Sequence, residues 1–187
     1  SVSFAALLFA AGSALADGNI AEIEQTAYVT DSTATIAQHG TGGNASISQR
    51  HSVWGVVTDN SALITQHGNG GYASTQQYGG VVGSSQSITQ SNGGSSKTSQ
   101  YNNVAGSSQA ITQNNGGTVW ADQYDGVINS SQTVTQSNGG FAEAYQRNFK
   151  YGVINSSQTI TQSNGGSASA DQHGLGVTNG HQSIHQD

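Results

Sequence analysis

The 187 residues would fill one domain of ordinary size, but only 7% are charged, and there are 26 Gly and no Pro, Cys or Met. So few large apolar and charged residues exclude a thick globular core of the usual kind, and the lack of Cys excludes disulfides and thiolate metal sites. Net charge is −6, and Arg50, Lys97, Arg147 and Lys150 are the only basic residues; with no basic patch to neutralise phosphates, nucleic acid is excluded as a partner.

The chain opens on Ser1 to Ala16, SVSFAALLFAAGSALA, an apolar run ending in an Ala-x-Ala cleavage site. The run is too short for a membrane span and reads as a signal peptide clipped at its start, so residues 1–16 are expected to be removed and the protein exported. Residues 17–31 follow as an N-terminal half-repeat and connection, in which DGNIAEIEQ looks like the second half of a unit. Residues 32–179 hold six repeats with their connections, the repeats at 32–49, 60–77, 84–100, 107–123, 130–146 and 156–172. Residues 180–187, with GHQSIHQ, look like the first half of another. VINSSQTVTQSNGG at 127–140 recurs at 153–166 with one change, Val134 to Ile160, and the first Gln of successive units lies at 38, 66, 90, 113, 136, 162 and 186. A period of this length marks a stacked-repeat architecture.

Within a unit the period is two, the signature of strands. One face of the first strand carries Ser84, Gln86, Ile88 and Gln90, and the same set recurs as Ser107, Gln109, Ile111, Gln113 and as Ser130, Gln132, Val134, Gln136. The second strand alternates small residues before its closing Gln, as in Ala142, Ala144, Gln146 and Ala168, Ala170, Gln172. Between the strands lie paired glycines, Gly93 and Gly94, Gly116 and Gly117, Gly139 and Gly140, and Gly165 and Gly166, which supply positive φ without steric penalty. A connection containing GVV, GVI or NVA follows; the pattern leaves open whether it forms a third strand. One unit cannot bury its thin inner face alone, but stacked units can. At ~4.8 Å per rung, identical Gln side chains can bond along the axis to their copies above and below. The expected fold is therefore all-β: a β-solenoid with cross-β character, its strand–turn–strand rungs stacked in register. The residues expected to build its ladders are Ser32, Gln38, Gln49, Gln66, Gln77, Ser84, Gln90, Gln100, Ser107, Gln113, Gln123, Ser130, Gln136, Gln146, Ser156, Gln162 and Gln172.

These residues resemble the curlin repeat of bacterial curli fibres, Ser-x5-Gln-x-Gly-x2-Asn-x-Ala-x3-Gln. Ser32, Gln38, Gly40, Ala45 and Gln49 fit it, with Gly43 where Asn is expected. Gln66, Gly68, Ala73 and Gln77 fit it again, with Asn60 for the leading Ser, and Asn19, Ala21 and Gln25 match its second half. The four later units keep Ser-x5-Gln but lose one residue in the turn. The resemblance spans nearly the whole chain after Ala16. It implies a subunit of an extracellular functional amyloid, homopolymeric in the biofilm matrix at the bacterial cell surface and serving adhesion, with a nucleator subunit and outer-membrane secretion machinery as partners. Both the major-subunit and the nucleator roles are open; uniform units and little basic charge favour the major one. The connections are longer than in the best-known curlins, and no Gly-rich export address follows Asp17.

Other constellations carry less. His39 and His67 follow the first Gln in adjacent units and should stack, which could form a divalent metal site; no His row continues in later units, so solvated edge residues are the default. Tyr78, Tyr101 and Tyr124 form an expected aromatic ladder flanked by Arg50 and Arg147, suited to stiffening the stack or to planar dyes. Asp122, Glu143 and Asp171 are expected outward, as gatekeepers that slow premature pairing. Repetition and the lack of a unique His context argue against an enzyme, and no cofactor or small-molecule substrate is expected. Ala21, Ile23 and Gln25 at one end and Gln182, Ile184 and Gln186 at the other are expected to complete a rung between two copies, head to tail. The alternative reading is a monomeric β-solenoid binding module, ice-binding or adhesin-like.

Overall fold

A computed structural model describes residues 18–26, 29–52, 55–148, 152–174 and 176–187; the expected signal peptide and Lys150 lie outside them. Three parallel seven-stranded sheets form the walls of a β-solenoid. The second-strand sheet stacks β1 (Ile20–Gln25), β4 (Asn44–Arg50), β7 (Tyr72–Tyr78), β10 (Ser95–Tyr101), β13 (Thr118–Tyr124), β16 (Phe141–Asn148) and β19 (Ser167–Gly174). The first-strand sheet stacks β3 (Thr33–Thr41), β6 (Ser61–Asn69), β9 (Ser85–Ser91), β12 (Ser108–Asn114), β15 (Ser131–Ser137), β18 (Ser157–Gln162) and β21 (His181–Gln186). The connections form the third wall from two-residue strands: β2 (Val29–Thr30), β5 (Val57–Thr58), β8 (Val81–Val82), β11 (Val104–Ala105), β14 (Val127–Ile128), β17 (Val153–Ile154) and β20 (Val177–Thr178). The question that the GVI pattern left open is thus answered. One Val per rung turns inward, and Val29, Val57, Val81, Val104, Val127 and Val153 make a buried column of their own.

Corners are turned by residues with positive φ. The corner from valine strand to first strand uses Asp31, Asp59, Gly83, Gly106, Asn129, Asn155 and Asn179, with φ between 49° and 59°, the left-handed region that Gly, Asn and Asp tolerate. The tighter turn from first to second strand places three such residues in a row, as at Asn138 (φ 59°), Gly139 (82°) and Gly140 (95°). Its two glycines are not equivalent. A Cβ on Gly139 would meet nothing within 4 Å, whereas one on Gly140 would lie 2.7 Å from the Gly166 carbonyl oxygen of the next rung. The second glycine therefore answers to axial close packing as well as to φ.

Register keeps residue type in the column of first glutamines: Gln38, Gln66, Gln90, Gln113, Gln136, Gln162 and Gln186 are successive partners. The main core runs between the two long sheets and includes Ile36, Ile64, Ile88, Ile111, Val134 and Ile160 from first strands and Ala45, Ala73, Val119, Ala142 and Ala168 from second strands.

Candidate assembly surfaces

Each interior Gln is held at a position that the period of two turns inward, and its amide reaches along the axis because the copy above is directly in register. In the second-strand sheet Gln25 Nε2 donates to Gln49 Oε1, and the chain continues through Gln77, Gln100, Gln123 and Gln146 to Gln172, at 2.5–3.0 Å. In the first-strand sheet the ladder from Gln38 to Gln186 has links of 2.8–3.1 Å. A third ladder, Gln86–Gln109–Gln132–Gln158–Gln182, has links of 2.8–2.9 Å. Bonding satisfies amides that would otherwise cost about 1–3 kcal/mol each when buried.

The leading serines do different work. Ser130 Oγ donates to the Ile128 carbonyl two residues back, at 2.9 Å, and accepts the Ser156 N–H of the next rung at 3.1 Å. Ser32, Ser84, Ser107 and Ser156 repeat the arrangement, and Asn60 substitutes in it by accepting the Ser84 N–H through Oδ1. The hydroxyl therefore pins the backbone at a corner instead of lining the core. An exposed ladder not anticipated from sequence runs through the turns, Asn92 to Asn115 to Asn138 to Asn164, at 3.1–3.3 Å. Its signal was the Asn that precedes each of the later Gly pairs.

The outer faces of the two long sheets differ. Strands of the first-strand sheet contain no Asp, Glu, Lys or Arg; they present Ser and Thr, including an uninterrupted column Thr65, Thr89, Thr112, Thr135, Thr161. His39 and His67 stack at its edge with ring centroids 5.1 Å apart and planes at 9°. Among the described residues no group of three or more His, Cys, Asp or Glu could hold a metal ion.

The second-strand sheet carries aromatics and charges. Tyr78, Tyr101 and Tyr124 are consecutive in register, with Arg50 and Arg147 beyond them, but their rings meet at 62° and 54°, 6.2 and 6.4 Å apart. This is an edge-and-tilt column, not a stack of parallel faces. Trp120 packs edge-on to Phe141 at 5.4 Å. Arg50 bonds Glu24, and Arg147 bonds Asp171 at 3.1 Å; each carboxylate holds its guanidinium partner above the ordinary arginine value. A groove near the N-terminal end is lined by Glu22, Glu24, Arg50, Gln76, Tyr78 and Tyr101. Of the acidic residues, Asp122 and Asp171 share the outward column just before the second Gln, with Tyr145 between them, and Glu143 lies in the neighbouring column. Burial pushes the Tyr145 phenol up to about 12, helped by Glu143.

Among the described residues the two end rungs are less covered than the rungs between them. Ile23 and Ile184 pack on the core but stay partly exposed, as Val177 does against the valine column, whereas Ile47, Ile64, Ile88 and Val153 inside the stack are fully covered. Gln182 and Gln186 are half-buried beside Ile184, and Gln25 is half-buried at the opposite end, beyond Ile23 and the exposed Ala21. The chain matches no protein-family model, no curated protein and no solved structure.

Proposed function

We propose that this chain is the structural subunit of an extracellular, curlin-like fibre, assembled head to tail from copies of itself, in biofilm matrix and adhesion. The observation that carries the reading is the partial exposure of core residues at both described end rungs, Ile23 at one and Ile184 and Val177 at the other. Apolar and amide columns that are sealed everywhere inside the stack reach both terminal rungs, and solenoids that remain monomeric need polar caps there. The contact is heterologous and does not close, so it makes a filament. About seven rungs at ~4.8 Å give roughly 34 Å of fibre per subunit. A nucleator and an outer-membrane exporter are the partners that the curlin resemblance brings with it, and the chemistry asks for no cofactor.

The uncharged Thr column favours a second reading, a monomeric solenoid that binds a regular surface such as ice or a host ligand. One experiment separates them. Purified protein beginning at Asp17 should grow into sedimentable fibres that bind amyloid dyes and diffract at about 4.8 Å along the axis. Protein that stays monomeric in sedimentation while retaining its strand signature would reject the fibre and leave the binding module.

A further inference from the structure

All three glutamine ladders point the same way. In every link the amide nitrogen of the earlier rung donates to the amide oxygen of the later one. The direction is locked at most links, all but those from Gln77, Gln113, Gln136 and Gln162, by the second amide hydrogen, which is spent on a backbone carbonyl across the interior. Gln158 Nε2 donates to the Tyr145 carbonyl at 2.8 Å, Gln132 to Asp122 at 3.0 Å, Gln109 to Ala121 at 2.7 Å and Gln38 to Ile20 at 3.1 Å. Turning such an amide over would set its oxygen against a carbonyl oxygen, leaving two buried acceptors facing each other.

A locked direction makes the two ends chemically different. At the N-terminal face Gln25 and Gln38 donate inward, so their Oε1 atoms are the unspent acceptors. At the C-terminal face Gln186 accepts from Gln162 at 3.1 Å and Gln172 from Gln146 at 3.0 Å; Gln172 gives one amide hydrogen to the Ser157 carbonyl at 3.2 Å, which leaves its other one, like the amide of Gln186, to be given along the axis. The third ladder does not reach the N-terminal face: its column continues from Gln86 to Ala62 and Ala34, and the buried Gln86 Oε1 has no partner.

We infer that amide polarity dictates which end of one copy accepts which end of the next. The C-terminal face docks as a donor, Gln186 to Gln38 and Gln172 to Gln25 of a second copy, and two like faces cannot dock. This rests on the fibre reading above, and makes the fibre polar, with every subunit in one orientation.

Gln186→Glu tests it. Inside its own chain the Gln186 side chain only accepts, and a carboxylate accepts as well, so the rungs of the variant are kept. Its C-terminal face, however, turns from donor to acceptor. At neutral pH the variant should bind the C-terminal end of a wild-type fibre through its intact N-terminal face and stop further addition. Sub-stoichiometric variant should therefore slow elongation of wild-type seeds by about fivefold or more, and lowering the pH below the usual glutamate value of about 4.3, where the acid can donate again, should restore growth. Ser183→Glu puts the same charge on the outward side of the same strand and should not cap. If wild-type seeds elongate equally with or without Gln186→Glu, or if Ser183→Glu caps as strongly, amide polarity is not the determinant while the fibre reading stands. If wild-type protein forms no fibre, both readings fall.

Discussion

Asp122 occupies an outward column between Ser99 and Tyr145, yet burial raises its carboxyl above the ordinary aspartate value, and Glu143 adds to the rise while Ser99 and Lys97 oppose it. Its Oδ1 has no hydrogen-bond partner. Neighbouring side chains on a densely covered sheet face desolvate a residue that the alternation alone assigns to water. A carboxyl raised on folding binds its proton more tightly folded than unfolded. Its contribution is therefore fully favourable below the unfolded value of about 3.9 and is lost as pH rises through the raised folded value. Asp122→Asn should stabilise the fold at pH 7 by about 1 kcal/mol, seen as a higher urea midpoint, and should shorten the lag of fibre growth. The gain should vanish below the unfolded value of about 3.9, where Asp122 is protonated in the folded and the unfolded chain alike. A gain that is the same at acid and neutral pH would mean that ionisation of Asp122 is not its source.

At the scale of the strand, the interior holds two kinds of rung. Second strands β1 and β4 carry Ile23 and Ile47 in the column that later holds Thr75, Thr98, Ala121, Ala144 and Ala170. First strands β3 and β6 carry Ala34 and Ala62 in the column that later holds Gln86, Gln109, Gln132, Gln158 and Gln182. Large is matched with small in both kinds, which keeps the thin core filled. The orphaned Gln86 Oε1 marks the boundary between them. Ala62→Gln would supply the missing donor but overfill the rung beside Ile47, and should destabilise by about 1–3 kcal/mol. Combined with Ile47→Thr it should recover, with a favourable coupling of about 1 kcal/mol or more in the double-mutant cycle. Additive effects would separate the two columns. Much of this was legible beforehand, since the inward set of Ser, Gln and Ile and the paired glycines follow from a period of two inside a longer repeat. The valine wall was not, because two residues are too few to display alternation. Nor was the corner role of Ser130, since the hydroxyl's partners are backbone groups of two successive rungs.

For the whole molecule, the three sheets end together at β19, β20 and β21, so the C-terminal face is a nearly level platform for the next copy. Removing residues 180–187 would take away β21 alone and leave a notch one strand deep. Gln158 and Gln162, whose amides now donate to Gln182 and Gln186, would lie on its floor, and β19 and β20 would stand above it. An incoming copy could pair its β1 with β19, but its β3 would hang about 9.6 Å above β18, two strand spacings and too far for ladder bonds. The truncated chain should keep its strand content, because the ladders below β21 stay intact, while its elongation rate on wild-type seeds falls at least about tenfold, the equivalent of roughly 1.4 kcal/mol of contact. Seeds of the truncated chain should regain growth when the free peptide GHQSIHQD fills the notch. Undiminished elongation without residues 180–187 would show that copies do not meet through this face, and failure of the peptide to restore it would assign the loss to something other than the missing strand.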